Sequence, residues 1–149
     1  MGRRRLAREI ALQALYVADV AHTPAAEAFA IVTRREGDEA DAETLAFARE
    51  LALGAIERVE QLDATIQAQA ANWSMVRMAA VDRNVLRLAA YELEARLDTP
   101  VGVIIDEAIE IVRKYSTEEA TRFINGILDS LKKIRDAKPK AKKKSPPKE

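Results

Sequence analysis

Apolar residues recur at intervals of three and four along nearly the whole chain, and no segment alternates convincingly with a period of two. A chain patterned this way buries one stripe of each helix, so helix packed on helix is the layer it can build. The first helix is expected from about Arg4 to Ala21, with Leu6, Ile10, Ala14, Val17 and Ala21 turned to the core. Thr23-Pro24 restarts the chain, Thr as N-cap and Pro at the first helical position. That second helix ends near Gly37 in the polar stretch REGDEAD.

The third helix covers TLAFARELALGAIERV, where Gly54 costs about 1 kcal/mol against Ala and implies a close helix crossing. A shorter repeat, Leu62-Ile66-Ala70-Trp73, follows. Asp82 is expected to cap the next helix, with Val81 and Leu86 as a hydrophobic staple, and that helix stops before Thr99-Pro100. The segment through IIDEAIEIVRKY ends at Ser116, where Ser116 and Glu119 have capping-box spacing for a last helix carrying Ile124, Ile127, Leu128, Leu131 and Ile134. About seven helices predict an all-α fold of two packed bundles, residues 1–60 and 61–137. Residues 138–149, KPKAKKKSPPKE, lack apolar groups to offset ordering and are expected to be a disordered tail.

With 149 residues the chain can bury a real core, and with aromatics at only 5% that core is aliphatic. Cysteine is absent, which excludes disulfide staples and thiolate chemistry. The formal net charge of zero conceals an asymmetry: residues 1–8 hold four basic groups and no acid, the tail holds six lysines against Glu149, and the span between holds 14 basic and 23 acidic residues. An acidic body with two basic ends suits a polyanion that touches particular places. The opening segment is broken by Arg8, Glu9, Gln13 and Asp19, so it reads as a helix and not as a secretory leader, and no stretch is apolar enough to span a bilayer. These features predict a cytoplasmic protein with no membrane partner.

On the first helix Arg5, Arg8, Leu12, Tyr16 and Asp19 fall opposite the core stripe and are expected to face solvent or a partner. Arginines in line with an aromatic supply guanidinium groups for phosphates and a flat ring for a base, the two needs of a single-stranded RNA site. The alternatives are an ordinary charged N-terminus with Tyr16 packed on a neighbouring helix, or arginines that meet an acidic protein surface.

Little else carries chemistry. His22 stands alone beside a helix start, and with no His/Cys cluster neither a metal nor a cofactor is expected. Asp106 and Glu110 share a stripe with Arg113 and Lys114, and Glu110 and Lys114 have the favourable i,i+4 order, so this reads as a solvated face and not as a catalytic carboxylate pair. Trp73, Met75 and Met78 read as packing residues between the halves, with a partner contact by Trp73 as the alternative. Phe123, Asn125 and Gly126 admit either close packing within the bundle or a contact with RNA or a partner.

Four segments, RRLAREIALQALY, WSMVRMAAVDRNVLRLAAYEL, DTPVGVIIDEAIEIVRKY and RFINGILDSL, together resemble the bacterial NusB transcription antitermination family over roughly residues 3–135. Departures are small: Leu6 follows Arg4-Arg5 where some relatives continue with arginine, and Asp106 stands where the family usually has Asn. The resemblance implies an all-helical, non-enzymatic factor that pairs with ribosomal protein NusE, binds boxA RNA and joins the RNA polymerase antitermination complex, chiefly in ribosomal RNA operons. It implies RNA contacts from Arg4, Arg5 and Arg8, with Gln13 and Tyr16 on the matching motif; beside it, Arg3, Phe123 and Asn125 stand as further RNA-contact candidates and Asp82, Glu118 and Glu119 as candidate partner-facing acids. A homodimer that hides the arginines is a further possibility. The rival readings are a purely protein-binding helical scaffold, and a stand-alone relative of the NusB-like domain of ribosomal RNA cytosine methyltransferases. For the second rival a cofactor-binding α/β domain would be needed, and none is expected from these 149 residues.

Overall fold

The computed structural model describes residues 2–36, 40–70 and 72–137, so the lysine-rich tail and part of the REGDEAD stretch lie outside the described residues. Seven α-helices follow one another: α1 (Arg3–Val20), α2 (Ala25–Glu36), α3 (Ala42–Glu57), α4 (Val59–Gln69), α5 (Ala80–Ala95), α6 (Val101–Tyr115) and α7 (Glu118–Ala137), with a 3-10 turn at Met75–Arg77. No strand occurs among the described residues, as the periodicity requires.

The helix ends differ in detail from the expected ones. Pro24, not Thr23, stands at the start of α2, its carbonyl accepting from the Ala28 amide at 2.8 Å. Thr117, not Ser116, caps α7: its hydroxyl accepts from the Ala120 amide at 3.0 Å, while Ser116 closes α6. Asp82 sits inside the first turn of α5, whose N-cap is Ala79. Each is a slip of one to three residues at a helix end, the boundary that propensity places least sharply. Asp41 is a true N-cap, its side chain accepting from the Thr44 amide at 2.8 Å.

The core is continuous. α1 packs on α2, α3 and α5; α5 in turn packs on α3, α4, α6 and α7, so these two helices run through the middle. The largest fully buried side chains, among them Ile10 and Leu15 on α1, Leu51 on α3, Leu86 on α5 and Leu128 on α7, are almost all aliphatic. The crossing expected at Gly54 is present: a Cβ there would run into the Tyr91 ring, which lies across the glycine from α5. Gly126 is different. Nothing lies within 4 Å of where its Cβ would be, so close packing within the bundle does not explain it.

Gly54→Ala should destabilise the fold by about 1–3 kcal/mol in urea unfolding, because overpacking against the buried ring exceeds the gain in helix propensity. Adding Tyr91→Leu should recover part of the loss. Unchanged or higher stability for the single variant would contradict the crossing.

Candidate nucleic-acid interface

α1 does not present the stripe expected of it. The Arg8 guanidinium is only 4% exposed, and its Nε and one NH2 group each donate at 2.8 Å to the two carboxylate oxygens of Glu92, itself 1% exposed. Leu12 is buried as well, against Val85, Leu88 and Ile111. Asp19 is held by Arg83 at 2.7 Å, the Asn84 amide at 2.9 Å and Arg87 at 3.2 Å. Burial pushes the Asp19 carboxyl up, but the hydrogen bonds from Arg83 and Asn84 and the Arg87 charge outweigh it and leave the group below its ordinary value. The expectation of an outward Arg8, Leu12 and Asp19 is therefore corrected. A helix with neighbours on several sides has no single core stripe, and an arginine on its second packed side is tolerated because a carboxylate 84 residues on meets it. In the expected core stripe Ile10 and Ala14 are fully buried, Leu6 and Val17 partly so, and Ala21 is exposed.

Two members of the stripe do reach the surface. Tyr16 is 42% exposed. Arg5 is partly exposed, with Nε and an NH2 group donating to Glu107 at 2.7 and 3.1 Å. The hydrogen bonds from Arg5 hold the Glu107 carboxyl below its ordinary value. One turn further along α1, Glu9 accepts from Lys114 at 3.2 Å and draws that lysine away from Glu110, whose partner is Arg113 at 3.1 Å. The α1–α6 seam is thus laced by ions of both signs, and the expected Glu110–Lys114 pair is replaced by a link between helices.

At the start of α1, Arg3 donates to Asp41 at 2.7 Å. Hydrogen bonds from Thr44 and then Arg3 take the Asp41 carboxyl down to about 2. The Arg4 guanidinium lies 4.0 Å from the centre of the Phe47 ring, with no carboxylate partner among the described residues. Arg96 approaches the same ring at 5.1 Å while paired with Glu50 at 2.7 Å. A cleft of about 610 Å³ opens there, lined by Arg3, Arg4, Thr44, Phe47, Glu50 and Arg96 among others. Phe47 escaped the sequence reading. Nothing in the spacing of a core phenylalanine says that its ring carries an arginine.

Gln13 is half-buried on α1. Phe123 is half-buried on α7, its ring 5.1 Å from that of Trp73 and tilted by 53°. Asn125 and Gly126 are exposed beside it. Met75 and Met78 are buried as expected, whereas Trp73 packs only in part, against Phe123, and is 50% exposed. Glu118 and Glu119 are exposed in the first turn of α7, and Asp82 is half-buried with one carboxylate oxygen buried and unpaired in the structure. His22 lies in the turn after α1 at φ 53°, and no group of three metal-ligating side chains occurs among the described residues. No helix of the described residues is long and apolar enough to cross a membrane.

The fold and this surface define a small helical module whose charged groups are largely engaged in ion pairs and aromatic contacts. The chain belongs to the NusB family, whose model matches residues 5–133. It is 49% identical over 138 residues to the transcription antitermination protein NusB of Elusimicrobium minutum, covering 91% of this chain and 96% of that one. With NusB of Geobacter sulfurreducens the identity is 45% over 131 residues, covering 88% and 94%. Among solved structures, T. maritima NusB superposes with a TM-score of 0.81 at 36% identity, over 87% of this chain and 90% of that one. A chain in a structure of the antitermination factors NusB and NusE in complex with dsRNA gives 0.79 at 29% identity, over 89% and 97%. The all-α reading and the family resemblance are both borne out.

Two outcomes test this geometry. Glu92→Ala should cost about 3–5 kcal/mol by stranding a buried guanidinium, and adding Arg8→Met should restore most of it; equal loss in the single and double variants would mean that the pair does not couple α1 to α5. The Asp41 carboxyl is depressed in the folded state, so its contribution is complete above the unfolded value near 3.8 and is lost as pH falls through about 2. An NMR titration of the Thr44 amide should show its midpoint near 2, and a midpoint near 4 would remove the Arg3–Asp41–Thr44 contact from the description.

Proposed function

We propose that this protein is a transcription antitermination factor that binds boxA RNA together with ribosomal protein NusE and helps assemble the antitermination complex on RNA polymerase, chiefly in ribosomal RNA operons, in the cytoplasm. The observation that carries the reading is the pairing, on one helix, of an arginine with no carboxylate partner among the described residues and an exposed aromatic ring. Arg4 lies over Phe47 at the start of α1 and Tyr16 stands out three turns later. The relatives' names support antitermination, and the similar NusB chain solved with NusE and dsRNA supports the two partners.

The residues divide by what they have left to give. Arg3 and Arg4 meet phosphates at the start of α1, and Arg5 adds to them through the guanidinium nitrogen that Glu107 leaves unused. Gln13 and Asn125 offer amides to base edges; Tyr16 and Phe123 offer rings for stacking. Arg8 spends its Nε and one NH2 group on Glu92, so its part is to fix α1 on α5 with Arg5 and Tyr16 correctly spaced. Asp82, Glu118 and Glu119 face the protein partner, an acidic counterpart to the basic start of α1.

Affinity for a boxA-like single strand should fall with salt at a logarithmic slope near −0.7 per phosphate neutralised, and Arg4→Gln should flatten that slope by about one such unit. Tyr16→Ala should weaken binding by roughly 1–3 kcal/mol while leaving thermal unfolding unchanged. Fluorescence anisotropy with boxA-like and scrambled RNA, with and without NusE, reads both. Equal binding of the two RNAs in the presence of NusE would favour the scaffold reading.

A further inference from the structure

Between α4 and α5 the described residues show apolar side chains to solvent, and hydrogen bonds tie their backbone down at several points. The Gln67 carboxamide donates to the carbonyl oxygens of Ala70, at 3.0 Å, and of Trp73, and accepts from the Met75 amide at 2.9 Å. From the other side the Arg83 guanidinium donates to the Met78 carbonyl at 2.9 Å and reaches that of Met75 at 3.5 Å, while its Nε holds Asp19 on α1. Met75 and Met78 anchor the segment in the core. The residues so presented are Trp73, half exposed, and Val76, 84% exposed. An ordered exposed tryptophan has lost its freedom in advance, which is what a binding platform requires.

We infer that Trp73 is a further nucleobase-stacking platform that continues the proposed RNA path from α1 onto α7, and that Gln67 and Arg83 are the residues that position it. This rests on the RNA-binding reading above. The indole packs against the Phe123 ring at a 53° tilt and leaves Trp73 50% exposed. Arg77, four residues on, and Arg122, beside Phe123, are exposed and have no carboxylate partner among the described residues. Aromatic rings with cations beside them are what a single strand requires, base against ring and phosphate against guanidinium. Arg83 also ties the loop to Asp19, one turn beyond Tyr16 on α1. Gly126 extends the opening: with nothing near its missing Cβ, it lets a ligand approach the α7 backbone next to Asn125.

Trp73 is the chain's only tryptophan, so its emission reports on the platform without any substitution. Titrating the full-length protein with an unstructured boxA-like RNA oligonucleotide should quench that emission, and a duplex of the same sequence should quench it less. Trp73→Ala should weaken binding of the single strand about 5- to 100-fold, Trp73→Phe should restore most of the affinity, and Gln67→Leu should weaken binding and lower the emission anisotropy of Trp73. Unchanged emission on RNA binding, with Tyr16→Ala still impaired, would overturn the platform while leaving the RNA-binding reading intact. Quenching by NusE alone and not by RNA would make this face a protein-docking surface and would also overturn it. Failure of the wild-type protein to bind either RNA would instead overturn the RNA-binding reading itself.

Discussion

Between α1 and α5 the Arg8 guanidinium and the Glu92 carboxylate meet in a two-point contact almost wholly out of water. Neither group tolerates that environment alone: an unpaired buried charge costs several kcal/mol, so each fixes the location of the other. Replacing both with apolar side chains need not weaken the fold. What the ions add is register, since two parallel hydrogen bonds accept one rotation and one height of α1 against α5. Everything exposed on α1 takes its position from that register, including Arg5 one turn before Arg8 and Tyr16 two turns after it.

The same device recurs at lower burial around α1. Arg5 meets Glu107 and Glu9 meets Lys114 on α6, and Asp19 meets Arg83 and Arg87 on α5. A helix whose ends and middle are each tied by opposite charges to the later part of the chain couples the arginine-rich start to the Trp73–Phe123 surface through a chain of contacts. Gln67 and Arg83 finish that chain by holding the backbone of the connecting segment. The consequence is a surface whose side chains are largely fixed in advance, as the proposed RNA contacts would require.

Much of this was legible in the sequence. Period-3.6 patterning set out seven helices, and the four matched segments pointed to the family. Gly54 announced a close crossing, and Tyr91 supplies it. What misled was treating α1 as a surface helix with one buried stripe. Its composition is half charged and polar at the start, yet six of its apolar residues are buried along with Arg8 and Glu9. The clue was at the other end: Glu92 lies among Leu88, Ala89 and Leu93 on the apolar side of α5, and an acid there demands a buried cation. Gly126 and Trp73 were ambiguous because a single sequence does not distinguish a residue packed against its own fold from one kept open for a partner. The Phe47–Arg4 contact and the Gln67 bracket belong to pairs brought together only by tertiary structure, with no local spacing to betray them.

The most direct measurement is the side-chain Nε–H spectrum of the arginines, recorded by 15N NMR on the free protein and on the protein with boxA-like RNA. Arg8 should exchange slowly with solvent and keep its resonance when RNA is added, while Arg4 and Arg5 move. A rapidly exchanging Arg8, or one whose resonance shifts most on RNA addition, would mean that this arginine faces the ligand and that α1 is not pinned to α5.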